Sequence, residues 1–138
     1  MRSHLFAILL ACLALGPLPL SAQTAVIPEA QDTIFAQIEA MKVDDFAKAF
    51  TYASPTIKGI FGTPENFGMM VRQGYPMVWK PSAVQMLEQR EIAGALWQKV
   101  LVTDGAGQSF VLDYQMIQTP EGWQINAVDL LPSAGVGA

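Results

Sequence analysis

The hydrophobic period of this chain changes once. Before residue 62 apolar side chains recur every three or four positions, and after residue 81 they recur every second position. The segment between holds Gly62, Pro64, Gly68, Gly74, Pro76 and Pro81, with Phe67, Tyr75 and Trp79 among them. A period near 3.6 lays an apolar stripe along a helix, and a period of two lays an apolar face on a strand. A single switch from the first to the second predicts an α+β fold, with helices packed on an antiparallel meander, and excludes alternating α/β. Because residues 62–81 join the two layers, they are also the expected rim of any cavity between them.

With 138 residues the chain has room for one domain. Residues 1–22 read as a cleaved export signal. Arg2 and His4 give a short basic start, Leu5 to Leu15 form an apolar run, Gly16, Pro17 and Pro19 interrupt it, and Ala22 ends it on a small residue. The prolines keep the run below the ~20 apolar residues of a membrane anchor, so no stable membrane insertion is expected. Leu9, Leu10, Ala11 and Cys12 loosely resemble a lipid-attachment box, but the apolar run continues past Cys12 and the basic start is minimal. The expectation is a periplasmic or secreted domain over residues 23–132, followed by a mobile tail of small residues over 133–138.

Cys12 is the only cysteine and His4 the only histidine, and both fall in the segment to be removed. A mature chain without them has no thiol nucleophile, imidazole base or disulfide, and no histidine or thiolate ligand for a metal. Neither a metal nor a cofactor is expected. Loss of Arg2 leaves seven basic and twelve acidic residues, a net charge of −5. Such a balance gives no footprint for nucleic acid or for an anionic membrane.

Pro28 and Glu29 open a first helix, with Ile34, Ile38 and Met41 on one face and Ala30 and Phe35 beside them. Asp44 or Asp45 can cap a second helix that buries Phe46, Ala49 and Phe50. Ser54 and Pro55 begin a third, offering Ile57, Ile60 and Phe61, and Thr63, Pro64 and Glu65 begin a fourth, presenting Phe67, Met70 and Val71 up to Gly74. Tyr75 and Pro76 are expected to be extended, since a residue before proline avoids the helical region. Four strands follow. The first places Val84, Met86, Glu88, Arg90 and Ile92 on one face and turns at Gly94. The second runs from Leu96 to Thr103. The third places Phe110, Leu112, Tyr114 and Met116 opposite Val111, Asp113, Gln115 and Ile117, and the fourth runs from Trp123 to Leu131.

This order, with the run from Asp44 to Pro55 between two helices, resembles the nuclear-transport-factor-like cone, a superfamily that includes ketosteroid isomerase and polyketide cyclases. Phe61, Gly62, Phe67, Met70, Val71, Gly74, Tyr75, Pro76 and Trp97 resemble more narrowly an exported bacterial family known only as a domain of unknown function. The resemblance covers most of residues 28–132. It implies a curved meander closed by helices and brings no reaction, because function belongs to sites and not to folds.

Such a cone usually encloses a pocket. The candidate ligand-binding residues are Tyr52, Phe67, Met70, Tyr75, Trp79 and Tyr114, with Phe50 and Met116 beside them. An aromatic and methionine-rich lining suits a small apolar molecule. The same residues would equally serve to fill a core. The cone's isomerases pair a carboxylate base with a tyrosine or acid, for which Asp113 and Asp129 are the carboxylates available; alternation sets Asp113 opposite Tyr114, and no catalytic residue is assigned. Arg72 and Lys80 offer a grip on an anionic group at the pocket mouth, and Arg90 reads as a surface ion pair with Glu88 or Glu91. Binding of an apolar ligand or of an envelope protein is the expected role. The alternatives are a carboxylate–tyrosine enzyme and a module that homodimerises through its open sheet face.

Overall fold

A computed structural model describes residues 25–132, with Gly16 in isolation. Apart from Gly16, the expected signal with His4 and Cys12, and the tail over 133–138, lie outside the described residues. The domain is α+β. Helices α1 (Pro28–Lys42), α2 (Phe46–Thr51), α3 (Pro55–Phe61), α4 (Pro64–Gly74) and α5 (Pro76–Trp79) precede an antiparallel sheet of strands β1 (Ala83–Ile92), β2 (Ala95–Thr103), β3 (Ser109–Thr119) and β4 (Gly122–Leu130), ordered β1-β2-β3-β4.

The helices start where the side chains allow. Proline occupies the first turn of α1, α3, α4 and α5, where its missing N–H costs nothing. The Asp45 carboxylate accepts from Lys48 N at 3.0 Å, the Ser54 hydroxyl from Ile57 N at 3.2 Å and the Thr63 hydroxyl from Asn66 N at 3.2 Å, each cap contributing about 1 kcal/mol. Helix α1 has no side-chain cap; instead Gln89 on β1 accepts from Ile27 N at 2.7 Å and donates to Ile27 O at 3.1 Å, so the entry to the helix is fixed by the sheet. Tyr75 avoids the helical region at φ −136°, as the following proline demands, but Pro76 then starts a helical turn where extended chain was expected.

Ala30, Ile34, Ile38 and Met41 of α1 are buried against the sheet, while Phe35 and Ile60 stay exposed. The core-facing side of the sheet is built from Val84 and Met86, from Gln98, Val100 and Val102, and from Phe110, Leu112, Tyr114 and Met116, paired in register. Helix α4 crosses α2 closely at Gly68, where a Cβ would stand 3.0 Å from the Phe46 ring. The edge strand β4 is pinned to the helical layer by Ser54 N donating to Ile125 O at 2.8 Å and Ile125 N donating to Tyr52 O at 2.9 Å.

Strand β1 departs from strict alternation. A bulge between Met86 and Gln89 turns Gln89 toward the helices and Arg90 to the outer face, so Arg90 does not share a face with Val84 and Met86. The fully buried Gln98 takes over the hydrogen bonding that the bulge disrupts. Its Nε2 donates to Leu87 O at 3.0 Å and Lys99 O at 2.8 Å, while its Oε1 accepts from Gln31 at 3.1 Å and Gln89 at 3.2 Å.

Candidate ligand-binding cavity

Between α3, α4 and β4 lies a cavity of about 200 Å³. Phe67, Val71, Val78, Tyr114 and Ile125 line its buried floor and walls, with Gln37 and Met41 of α1 behind them. Ile57, Phe61, Met70, Tyr75, Ala127 and Val128 are half-buried and form the rim. Phe67 sits at the centre of an aromatic wall, its ring 5.4 Å from Phe50 and 6.0 Å, edge-on, from Phe61. Tyr75 donates its hydroxyl to Val128 O at 3.2 Å, tying the junction of α4 and α5 to the edge strand.

Four of the six residues expected from the sequence meet in this cavity: Phe67, Met70, Tyr75 and Tyr114. Tyr52 does not. It caps the C-terminus of α2, and its carbonyl is engaged by Ile125. Trp79 also lies elsewhere, because its indole Nε1 donates to Asp44 at 2.8 Å and turns the ring away from the cavity. Phe50 packs behind Phe67, and Met116 lies toward the other end of the sheet.

Arg72 and Lys80 are not at the mouth. Arg72 rests over the Phe46 ring at 4.5 Å and the Trp79 ring at 5.3 Å, and Lys80 reaches the Asp44 carboxylate at 3.3 Å. Asp45 caps α2 and Asp44 instead takes positive φ, 59°, to receive Trp79 and Lys80. The Trp79 hydrogen bond, followed by Lys80, holds the Asp44 carboxyl below its ordinary pKa.

Sequence reasoning missed Gln37, Ile57, Phe61, Ile125 and Val128 as lining residues. Gln37 had left a signal: it falls on the buried stripe of α1, three residues after Ile34 and one before Ile38. Its Nε2 donates to Ala49 O at 3.2 Å. Among the described residues no Asp, Glu, Lys or Arg lines the cavity. Asp113 and Asp129 are on the outer face of the sheet, where they are paired across the ladder and Asp113 is held by Arg90, not left as a free base beside Tyr114. Burial, with a smaller contribution from Tyr75, pushes the Tyr114 hydroxyl far above the usual phenol range. It therefore stays protonated and remains a hydrogen-bond donor.

Among the described residues no group of three or more His, Cys, Asp or Glu could hold a metal ion, and no helix is long and apolar enough to cross a membrane.

A family model described as a domain of unknown function (DUF4864) matches residues 23–138. The chain belongs to this family. None of the curated proteins matches it. Among solved structures it is similar to the phospholipid-binding protein from Ralstonia solanacearum, solved in complex with a phospholipid, at 15% identity, 78% coverage of each chain and a TM-score of 0.46. At that TM-score the likeness says nothing about what this chain binds.

Proposed function

We propose that this domain, exported to the periplasm or beyond after loss of its signal, binds a small and largely apolar molecule between its helices and its sheet. The observation that carries the reading is the cavity of about 200 Å³, with a buried apolar floor and a half-buried rim in which Phe67, Met70, Tyr75 and Tyr114 meet. Export rests on the basic start, apolar run and small terminal residue of residues 1–22. Among the described residues no carboxylate lines the cavity, which favours binding over carboxylate–tyrosine catalysis.

Native mass spectrometry of the protein purified from its own envelope tests this. A small adduct is expected on the parent and not on Met70→Trp, which fills the rim without touching the buried floor. An adduct retained equally by both, or a bare parent that also fails to gain thermal stability from small aromatic compounds, overturns the proposal.

A further inference from the structure

Among the described residues two polar groups that line the cavity have no protein partner. Tyr114 is 1% exposed and Gln37 is 5% exposed, and both line the cavity. Among the described residues the Tyr114 hydroxyl makes no hydrogen bond and the Gln37 Oε1 accepts none, although Gln37 Nε2 is bound to Ala49 O. The latter bond fixes the amide's orientation, because a flipped amide would set two acceptor oxygens against each other. Neither free atom is fully enclosed by protein. Among the described residues Gln124 Oε1 alone is an enclosed side-chain atom without a partner, which leaves Tyr114 Oη and Gln37 Oε1 as accessible atoms of two residues that line the cavity.

A polar group that lines an apolar cavity without a protein partner is satisfied from the cavity side, so a pair of them in one cavity marks where a partner belongs. The two are complementary: one is a protonated phenol that donates, the other a carbonyl oxygen that accepts. A hydroxyl group has the two capacities this pair calls for, an acceptor for Tyr114 and a donor for Gln37. A carboxylate or ammonium group would enter without a counter-charge, since no charged side chain lines the walls, and would carry its full desolvation cost. Size sets a further limit. A cavity of 150 Å³ accepts benzene, so this one has room for roughly eight to ten non-hydrogen atoms.

Resting on the cavity reading above, we infer that the ligand is a small neutral alcohol or phenol whose hydroxyl group seats between Tyr114 and Gln37. A water molecule has the same donor and acceptor capacities. A ligand hydroxyl displaces it without losing hydrogen bonds, and a bare hydrocarbon does not.

Calorimetric titration of the mature domain with 4-ethylphenol, ethylbenzene and benzoate separates these cases. The phenol is expected to bind about tenfold tighter than the hydrocarbon, with no binding of the carboxylate. In Tyr114→Phe the preference for the phenol falls to less than about threefold, while the melting temperature does not drop, since the lost hydroxyl had no protein partner. Equal affinity for phenol and hydrocarbon overturns the inference and leaves the apolar cavity standing, and so does tightest binding by the carboxylate. Failure of all three probes at millimolar concentration overturns both.

Discussion

Arg90 on β1 and Asp113 on β3 meet over the intervening strand β2, with Nη1 to Oδ1 at 2.9 Å and Nη2 to Oδ2 at 2.8 Å. The fork geometry makes this a bidentate pair, and the Asp113 hydrogen bonds hold the guanidinium pKa above its ordinary value. Both side chains are largely buried, at 24% and 10% exposure. The outer sheet face is thus cross-tied by charge: Lys99 reaches Glu88 at 2.8 Å beside the pair. Asp113 serves as a strut between strands.

Removing one partner is expected to cost more than removing both. Asp113→Leu should destabilise the domain by about 2 kcal/mol, less than a fully buried pair would show, because it strands the guanidinium. Arg90→Leu combined with Asp113→Leu should recover most of the loss. Urea unfolding of the two singles and the double checks this, and a double variant weaker than either single contradicts it.

Gln98 carries the second expectation. Its amide reaches two carbonyls, and its oxygen receives Gln31 and Gln89. Gln98→Leu keeps the volume and leaves those groups unpaired in the interior. A loss of roughly 2–4 kcal/mol should follow in chemical denaturation. A loss below about 0.5 kcal/mol would show that water reaches the bulge and replaces the side chain.

The alternating strands were legible because a two-residue period fixes the face of every position at once. Phe110, Leu112, Tyr114 and Met116 face the helices as the pattern requires. The bulge in β1 was not legible, because the extra residue carries no glycine to mark it, and from Gln89 onward each face assignment is reversed. The cap-and-proline starts of α3 and α4 were readable from local chemistry, whereas the turn at Pro76 pitted two proline rules against each other and the second prevailed. Trp79 and Tyr52 were misplaced for a different reason. Their positions depend on Asp44 and Ile125, which are distant in sequence, and composition offers no view of such contacts.

Tyr75 closes the rim by a ring and a hydrogen bond, and the two can be separated. Tyr75→Phe should cost about 1 kcal/mol through loss of the bond to Val128 O. Tyr75→Ala should cost about 2–3 kcal/mol, because the half-buried ring packs where helix passes to sheet. Thermal melts check both. A Tyr75→Ala melt unchanged from the parent would remove the anchoring role.

Asp44 supplies a pH-dependent contact. Its carboxyl is held below the ordinary 3.8, first by the Trp79 indole and then by Lys80. A depressed folded pKa contributes stability that is present above about pH 3.8 and is lost as pH falls through the lower folded value. Because the group is exposed, the contribution is small and is best read spectroscopically. The Asp44 carboxyl resonance should titrate below 3.8 in the parent and move back toward 3.8 in Trp79→Phe. A parent midpoint at or above 3.8 contradicts the geometry.

The hairpin between β1 and β2 offers a gain in stability. Ile92 pairs with Ala95, so Ala93 and Gly94 are the whole connection, and both take positive φ, 51° and 81°. Two positive φ values define the turn that matches the right-handed twist of flanking strands. Gly94 meets the requirement freely, whereas an alanine in the left-handed region is strained by about 1–2 kcal/mol. Asparagine tolerates that region, and Ala93 is exposed, so exchanging it forfeits no packing. Ala93→Asn should stabilise the domain by about 0.5–1 kcal/mol and raise its melting temperature by a few degrees. Ala93→Gly should gain less, because glycine also widens the unfolded ensemble. Calorimetry on the three proteins tests the order Asn, then Gly, then Ala; a melting temperature lowered by both substitutions would mean that residue 93 does not hold a positive φ in solution.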